Sequence, residues 1–287
     1  MSTVVRPERA LWALYEPVHA ITYFDPATFG CLAEAGLHGF WNGYFAGRAA
    51  PLGPTGPAPV TALFFGFAPA MVAKALPKVW SRITPERALE LRFAATSRTL
   101  TPYLEQGGAE DVRRVTDALV ATATDAVVDG RALAAAWQGV PVPEDQAARL
   151  WWAASVLREH RGDGHVIAAT HAELSGLEAG ITHCALGTIT REALQPSRGW
   201  TDEEWDVATE GLVARGLVTA GHAALTPAGQ TLREQVEAHT DRLAAAPAAV
   251  LAEDLAVIRP VLTAVARAIQ AAGSLPAVNP MGLPLPD

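Results

Sequence analysis

The sequence predicts an all-α protein, and three observations carry that expectation. Helix-start signals recur along the chain: Asp25-Pro26, Thr84-Pro85 and Thr226-Pro227 each set a side-chain cap before a proline, whose fixed φ suits the first helical position. Ser175-Gly-Leu-Glu178 and Thr201-Asp-Glu-Glu204 are capping boxes, in which the cap and the third helical residue satisfy each other's backbone amides. Finally, of 287 residues half are apolar and only 18% charged, enough core for one large or two modest domains.

In chain order, a helix starts after Asp25, with Phe29, Leu32 and Ala33 at helical spacing. The apolar run Val60 to Phe67, bounded by prolines, reads as a buried helix rather than a strand. Thr84 opens a helix carrying Leu89, Leu91, Phe93 and Leu100, which Gly107-Gly108 stops. Glu110 to Asp129 shows an apolar face of Val112, Val115, Leu119 and Ala126, and Gly130 is expected to end it. Glu144 to His160 should bury Leu150, Trp151, Ala154 and Leu157, with a sharp break at Arg161-Gly-Asp-Gly164. On one helix Trp151 and Trp152 should not both face a core, so one of them is expected at a cavity or an edge.

Three short helices are predicted next, through about Leu186, over Arg191 to Gln195, and over Glu203 to Arg215. Gly216-Leu-Val218, a turn at Ala220-Gly-His222 and Ala224-Leu225 could then pair as a small β-hairpin before a helix from Pro227 to about Ala246. This is the order of a winged helix-turn-helix. Gly211-Leu-Val-Ala-Arg-Gly-Leu-Val218 with Leu225-Thr-Pro-Ala-Gly229 resembles the recognition-helix end and wing of MarR-like regulators over about fifty residues, 175–232. With the blocks Glu16-Pro-Val-His-Ala-Ile-Thr-Tyr-Phe24, Phe45-Ala-Gly-Arg-Ala-Ala-Pro-Leu-Gly53 and His160-Arg-Gly-Asp-Gly-His165, the whole chain is similar to an actinobacterial family of helix-turn-helix-related proteins. The expected organisation is a helical domain at 1–143, a degenerate winged-helix domain at 144–273 and a proline-rich tail at 274–287.

Charge narrows the partners. With 30 acidic against 22 basic residues, the net charge of −8 repels phosphate backbones and anionic lipids. The helix in the recognition position carries Asp202, Glu203, Glu204, Asp206 and Glu210 against Arg215, whereas phosphate contact and guanine readout call for Arg and Lys. No nucleic-acid or membrane partner is expected. Cys31 and Cys184 make no metal or disulfide framework, and no signal segment is apparent, so a cytoplasmic location is expected. The low charge fraction favours self-association, with a homodimer as the simplest form.

Walker, GxGxxG, GxSxG, HExxH and zinc-spacing motifs are all missing. The candidate site residues are therefore constellations. Arg161, Asp163 and His165, separated by glycines at a helix junction, could converge; Glu16 and His19 have the Glu-x-x-His spacing of helical metal sites, with Tyr23 one turn on. His19, His165 and Asp163 together would supply a two-His-one-carboxylate set for a transition metal, and the alternative is no cofactor. Arg48 follows the aromatic run Phe40, Trp41, Tyr44 and Phe45 and could clamp an anion at an aromatic pocket, or simply cap its helix. The resulting expectation is a small-molecule-binding protein, with enzymatic use of His165, Asp163, His19 and Tyr23 and ligand contacts from Arg161, Arg48, Trp41 and Tyr44. The alternatives are a MarR-like ligand-responsive regulator and a non-catalytic interaction subunit.

Overall fold

The computed structural model describes residues 6–220, 224–276 and 283. Those residues form α-helices and short 3-10 turns with no strand. The helices are α1 (Pro7–Phe24), α2 (Pro26–Phe29), α3 (Phe40–Ala49), α4 (Pro57–Phe64), α5 (Pro69–Ala75), α6 (Pro85–Leu104), α7 (Ala109–Asp125) and α8 (Ala132–Gln138). They continue with α9 (Gln146–His171), α10 (Gly176–Ala185), α11 (Arg191–Arg198), α12 (Asp202–Ala214), α13 (Pro227–Leu243), α14 (Ala245–Ala252) and α15 (Leu255–Ala271). The capping signals act as the sequence expects. Asp25, Thr84, Asp145, Ser175, Thr190, Thr201 and Thr226 each accept a backbone N–H with the side chain, and both capping boxes close.

The organising element is α9. Its 26 residues span about 39 Å at the α-helical rise, and α1, α6, α7, α8 and α13 pack around it. Encirclement explains two departures from the sequence reading. Trp151 and Trp152 are both buried, because a helix covered on all sides has no solvent face to assign to one of them. Likewise no break occurs at Arg161-Gly-Asp-Gly164; the helix runs through to His171. Gly164 serves close approach instead, since a Cβ there would sit 2.8 Å from Arg131 Nη1 and 3.2 Å from Leu243 Cβ. Through that gap Arg131 donates to the carbonyls of His160 (2.6 Å) and Leu243 (2.7 Å). Each mid-helix glycine costs roughly 1 kcal/mol of propensity, which packing on this scale offsets.

Among the described residues the core forms three apolar clusters. One joins α1, α6, α7, α9, α14 and α15; a second joins α3, α4, α5 and the first half of α6; the third holds α10 to α13 against the last turns of α9. The position 143/144, expected as a boundary, lies just ahead of α9, whose residues enter both the first and the third cluster. α7 ends at Asp125, short of the expected Asp129, because Ala126 turns extended, and α8 follows where no helix was anticipated. The helix expected from Pro227 to Ala246 is divided at Ala244 into α13 and α14. The expected hairpin reduces to one antiparallel bridge, Val218 to Leu225, flanked by Thr219 N–H to Ala224 O and Thr226 N–H to Leu217 O. Residues 221–223 of its turn, and most of the proline-rich tail, lie outside the described residues. Ser274, where the tail begins, is buried and donates to Asp25 Oδ2 at 2.7 Å. No described helix is long and apolar enough to cross a membrane.

Candidate functional site

Where α1 crosses α9, burial forces polar groups to find each other. Ser155 gives its hydroxyl proton to Trp151 O (2.7 Å), so it can only accept from His19 Nδ1 at 2.8 Å. That fixes the His19 tautomer: Nδ1 carries the proton, and Nε2 accepts from the Tyr23 hydroxyl at 3.1 Å. Burial pushes the His19 pKa well below its ordinary value and raises that of Tyr23, so both stay neutral. One turn beyond Ser155, Glu159 receives Arg48 Nε and Nη2 at 3.1 Å each and Arg158 Nη1 at 2.8 Å. Burial alone would raise the Glu159 pKa, but Arg158 and Arg48 hold it well below the usual carboxylate range. Glu16 joins through Arg158 (3.4 Å) and Trp12 Nε1 (2.9 Å), and for it burial prevails and raises the pKa.

On the other side of Tyr23 and Tyr44 lies a cavity of about 20 Å³, bordered by Thr22, Phe29, Phe40 and Arg92. It has room for one water-sized group. Phe29 and Phe40 stand at its mouth, 39% and 41% exposed, with ring centroids 5.6 Å apart. Arg92 closes its inner end at 4% exposure and has no carboxylate partner among the described residues. Its guanidinium donates through Nε and Nη2 to Thr22 Oγ1 (3.3 and 3.0 Å) and through Nη1 to Gly47 O. The last contact has a local cause: the residue four positions after Gly47 is Pro51, which lacks the N–H that would normally take this carbonyl. A guanidinium carries five N–H donors, so three are used here and two remain. The ring faces of Trp151 (5.0 Å) and Tyr23 (5.8 Å) complete its surroundings.

The sequence candidates divide between this region and elsewhere. His19, Tyr23, Tyr44 and Arg48 come together, and Trp41 packs against Tyr44 (5.5 Å) on the wall. Arg48, however, is not the clamp at the aromatic mouth: it lies over Phe64 (4.0 Å) and is held by Glu159. Arg161 and His165, one turn apart on the continuous helix, share the face turned to α13, whereas Asp163 points away towards α8, so the three do not converge. Arg161 pairs with Asp241 on α13 (2.9 Å). Asp163 accepts Ala134 N–H (3.0 Å) and so caps the start of α8, with burial raising its pKa to about 6. His165 Nδ1 meets Thr240 Oγ1 at 3.1 Å, and burial lowers its pKa to about 4. The set of His19, His165 and Asp163 is therefore not assembled, and among the described residues no three His, Cys, Asp or Glu side chains are placed to hold one ion.

The unit formed by α10 to α12 is seated on the link between α4 and α5. Trp200 Nε1 donates to Gly66 O (2.9 Å), Ala68 N–H to Arg198 O (2.9 Å), and the Arg198 guanidinium lies 4.7 Å from the Phe67 ring centre. A sequence model of a helix-turn-helix family matches residues 8–276. The chain belongs to this helix-turn-helix family. No curated protein and no solved structure matches it. In this member α11, the turn at Gly199 (φ 76°) and α12 have the helix-turn-helix order, and the outward residues of α12 include Glu203, Asp206, Val207 and Glu210. Arg191 pairs with Asp202 (3.2 Å) and Asp206 (2.6 Å), leaving Glu203 and Glu210 to set the charge of that face.

Sequence reasoning missed Arg92, Ser155 and Glu159. A signal for each was present. Arg92 shares a helical stripe with Ala88, Ala95 and Thr96, a charge on an otherwise buried face. Ser155 and Glu159 follow Trp151 at four-residue intervals, the face that α9 turns to α1.

Proposed function

We propose that this helix-turn-helix family member binds a small organic monoanion, whose carboxylate reaches Arg92 and whose flat apolar body lies between Phe29 and Phe40. One observation carries the reading: a buried arginine that, among the described residues, has no acidic partner and no acceptor for two of its N–H groups stands at the inner end of an aromatic-mouthed cavity. An uncompensated buried charge costs several kcal/mol, and a ligand carboxylate is the group that would offset it. The small volume suits one carboxylate oxygen, with the rest of the ligand displacing the exposed rings at the mouth. Both ring nitrogens of His19 are engaged, one with Ser155 and the other with the Tyr23 hydroxyl. Enzymatic use of these residues therefore has less support than binding.

The test is thermal unfolding with benzoate and with benzamide, its neutral isostere. Benzoate should raise the midpoint, by about 2.7 kcal/mol of stability at a hundred times its Kd. Benzamide should not, and Arg92→Met should remove the effect while Arg92→Lys, lacking the planar fork, weakens it. Equal responses to both compounds, or none to benzoate, would defeat the proposal.

A ligand-responsive regulator is the second reading, favoured by the family membership and by the packing of Tyr44 on Phe67 (5.4 Å), which Arg198 of α11 also touches. It would retain a MarR-like arrangement in which the Val218 to Leu225 bridge is the base of a reduced wing. The acidic outward face of α12 argues against DNA contact through that helix. A gel shift at low salt that responds to benzoate would favour this reading, and no shift under those conditions would reject it.

A further inference from the structure

We propose that His171 and His239 form a two-imidazole site for one divalent transition-metal ion. His171 is the last residue of α9, and His239 lies on α13. Their ring centroids are 5.7 Å apart and inclined at 41°. Two imidazoles that each bring a nitrogen to about 2.0–2.1 Å from a shared ion have ring centres roughly 5–6 Å apart, so little side-chain movement is needed. The rings border a groove of about 250 Å³, together with Glu173, Gln235 and Val236. That leaves space for water ligands and places the carboxylate of Glu173 on the rim.

Hydrogen bonding separates this pair from the other histidines of the core. His19, His160 and His165 each use a ring nitrogen on Ser155, Val127 O or Thr240. Neither His171 nor His239 has a hydrogen-bond partner among the described residues, and both line the groove. The backbone of Glu173 is left-handed (φ 57°) and turns the chain after α9. Neutral nitrogen ligands with open positions select Cu(II), Ni(II) and Zn(II) over magnesium or calcium, with copper held most tightly.

The experiment is titration of the full untagged chain with each of these ions and with Mg(II). One equivalent should bind, copper most tightly, and magnesium not at all. His171→Ala and His239→Ala should each weaken binding by at least about tenfold, the lower end of what losing even an outer partner of a metal site costs. His183→Ala should leave affinity unchanged, because that side chain is engaged with Thr188. Both sites of substitution are on the surface groove, and an unchanged far-ultraviolet spectrum confirms that each variant folds. The electron paramagnetic resonance spectrum of the copper form should show coupling to two equivalent nitrogens. Stoichiometric binding that survives in the double variant, an absence of nitrogen coupling, or a wild-type protein that binds no ion would overturn the assignment.

Discussion

Replacing Glu159 by Gln isolates the interaction on which the α3 to α9 contact depends. The carboxylate is fully buried and receives two hydrogen bonds from Arg48 and one from Arg158. A glutamine oxygen can accept part of this set, but its amide would point N–H groups at a guanidinium, leaving Arg48 charged, 10% exposed and without a counter-ion. Breaking a buried pair from one side costs about 3–5 kcal/mol, a large share of the roughly 5–15 kcal/mol expected for the whole fold. At about 2–4 °C per kcal/mol the melting point should fall by roughly 6–20 °C. Because Arg158 and Arg48 outweigh burial and depress the Glu159 pKa, its contribution is fully present above the pKa of an unfolded glutamate. The deficit of the variant should therefore be constant from pH 8 to 5 and shrink only below about pH 4. Urea unfolding gives the measurement, and pairing the change with Arg48→Met supplies the control. The double variant has no orphaned Arg48 charge and should be more stable than the sum of the singles by about 1–3 kcal/mol. A single-variant loss under about 1 kcal/mol, or strict additivity, would refute the reasoning.

Gly176→Ala should be among the most damaging small changes in the helix-turn-helix unit, since a Cβ there would lie 1.8 Å from Phe65 O. Overpacking against backbone should cost about 3 kcal/mol or more in urea unfolding, with hydrogen exchange rising first in α10 to α12. Gly47→Ala would place a Cβ 2.8 Å from Arg92 Cδ, so benzoate stabilisation should be lost together with about 1–3 kcal/mol of stability. Asp163→Asn should have the opposite sign. The folded-state pKa of Asp163 is raised to about 6, so the folded chain binds its proton more tightly than the unfolded chain and stability falls as pH rises towards 6. The asparagine still accepts Ala134 N–H without the charge, and should gain about 1–3 kcal/mol at pH 8 and almost nothing at pH 4, read from unfolding curves at both values.

Local chemistry was legible in the sequence and non-local chemistry was not. The caps at Asp25, Thr84, Ser175, Thr190, Thr201 and Thr226 work within four residues of chain, so the order of most helices and the helix-turn-helix region could be read without a partner in view. The aromatic run from Phe40 to Phe45 also announced a pocket wall, because so many rings on one short helix must be shared between a core and an opening.

What the sequence could not settle is whether a glycine pair stops a helix or admits a neighbour. At Gly164 the outcome depended on Arg131 and Leu243, which arrive from distant parts of the chain. The same holds for the arginines: Arg48 looked like the ligand clamp, but Glu159 occupies it, while Arg92 is left without an acid on a stripe where only packing reveals burial. Helix starts were thus determined by the sequence alone because their hydrogen bonds close between near neighbours. Continuity of α9, the pairing of Arg48 with Glu159 and the burial of Arg92 without an acid among the described residues were decided by the tertiary structure, because desolvation acts only once remote segments exclude water together.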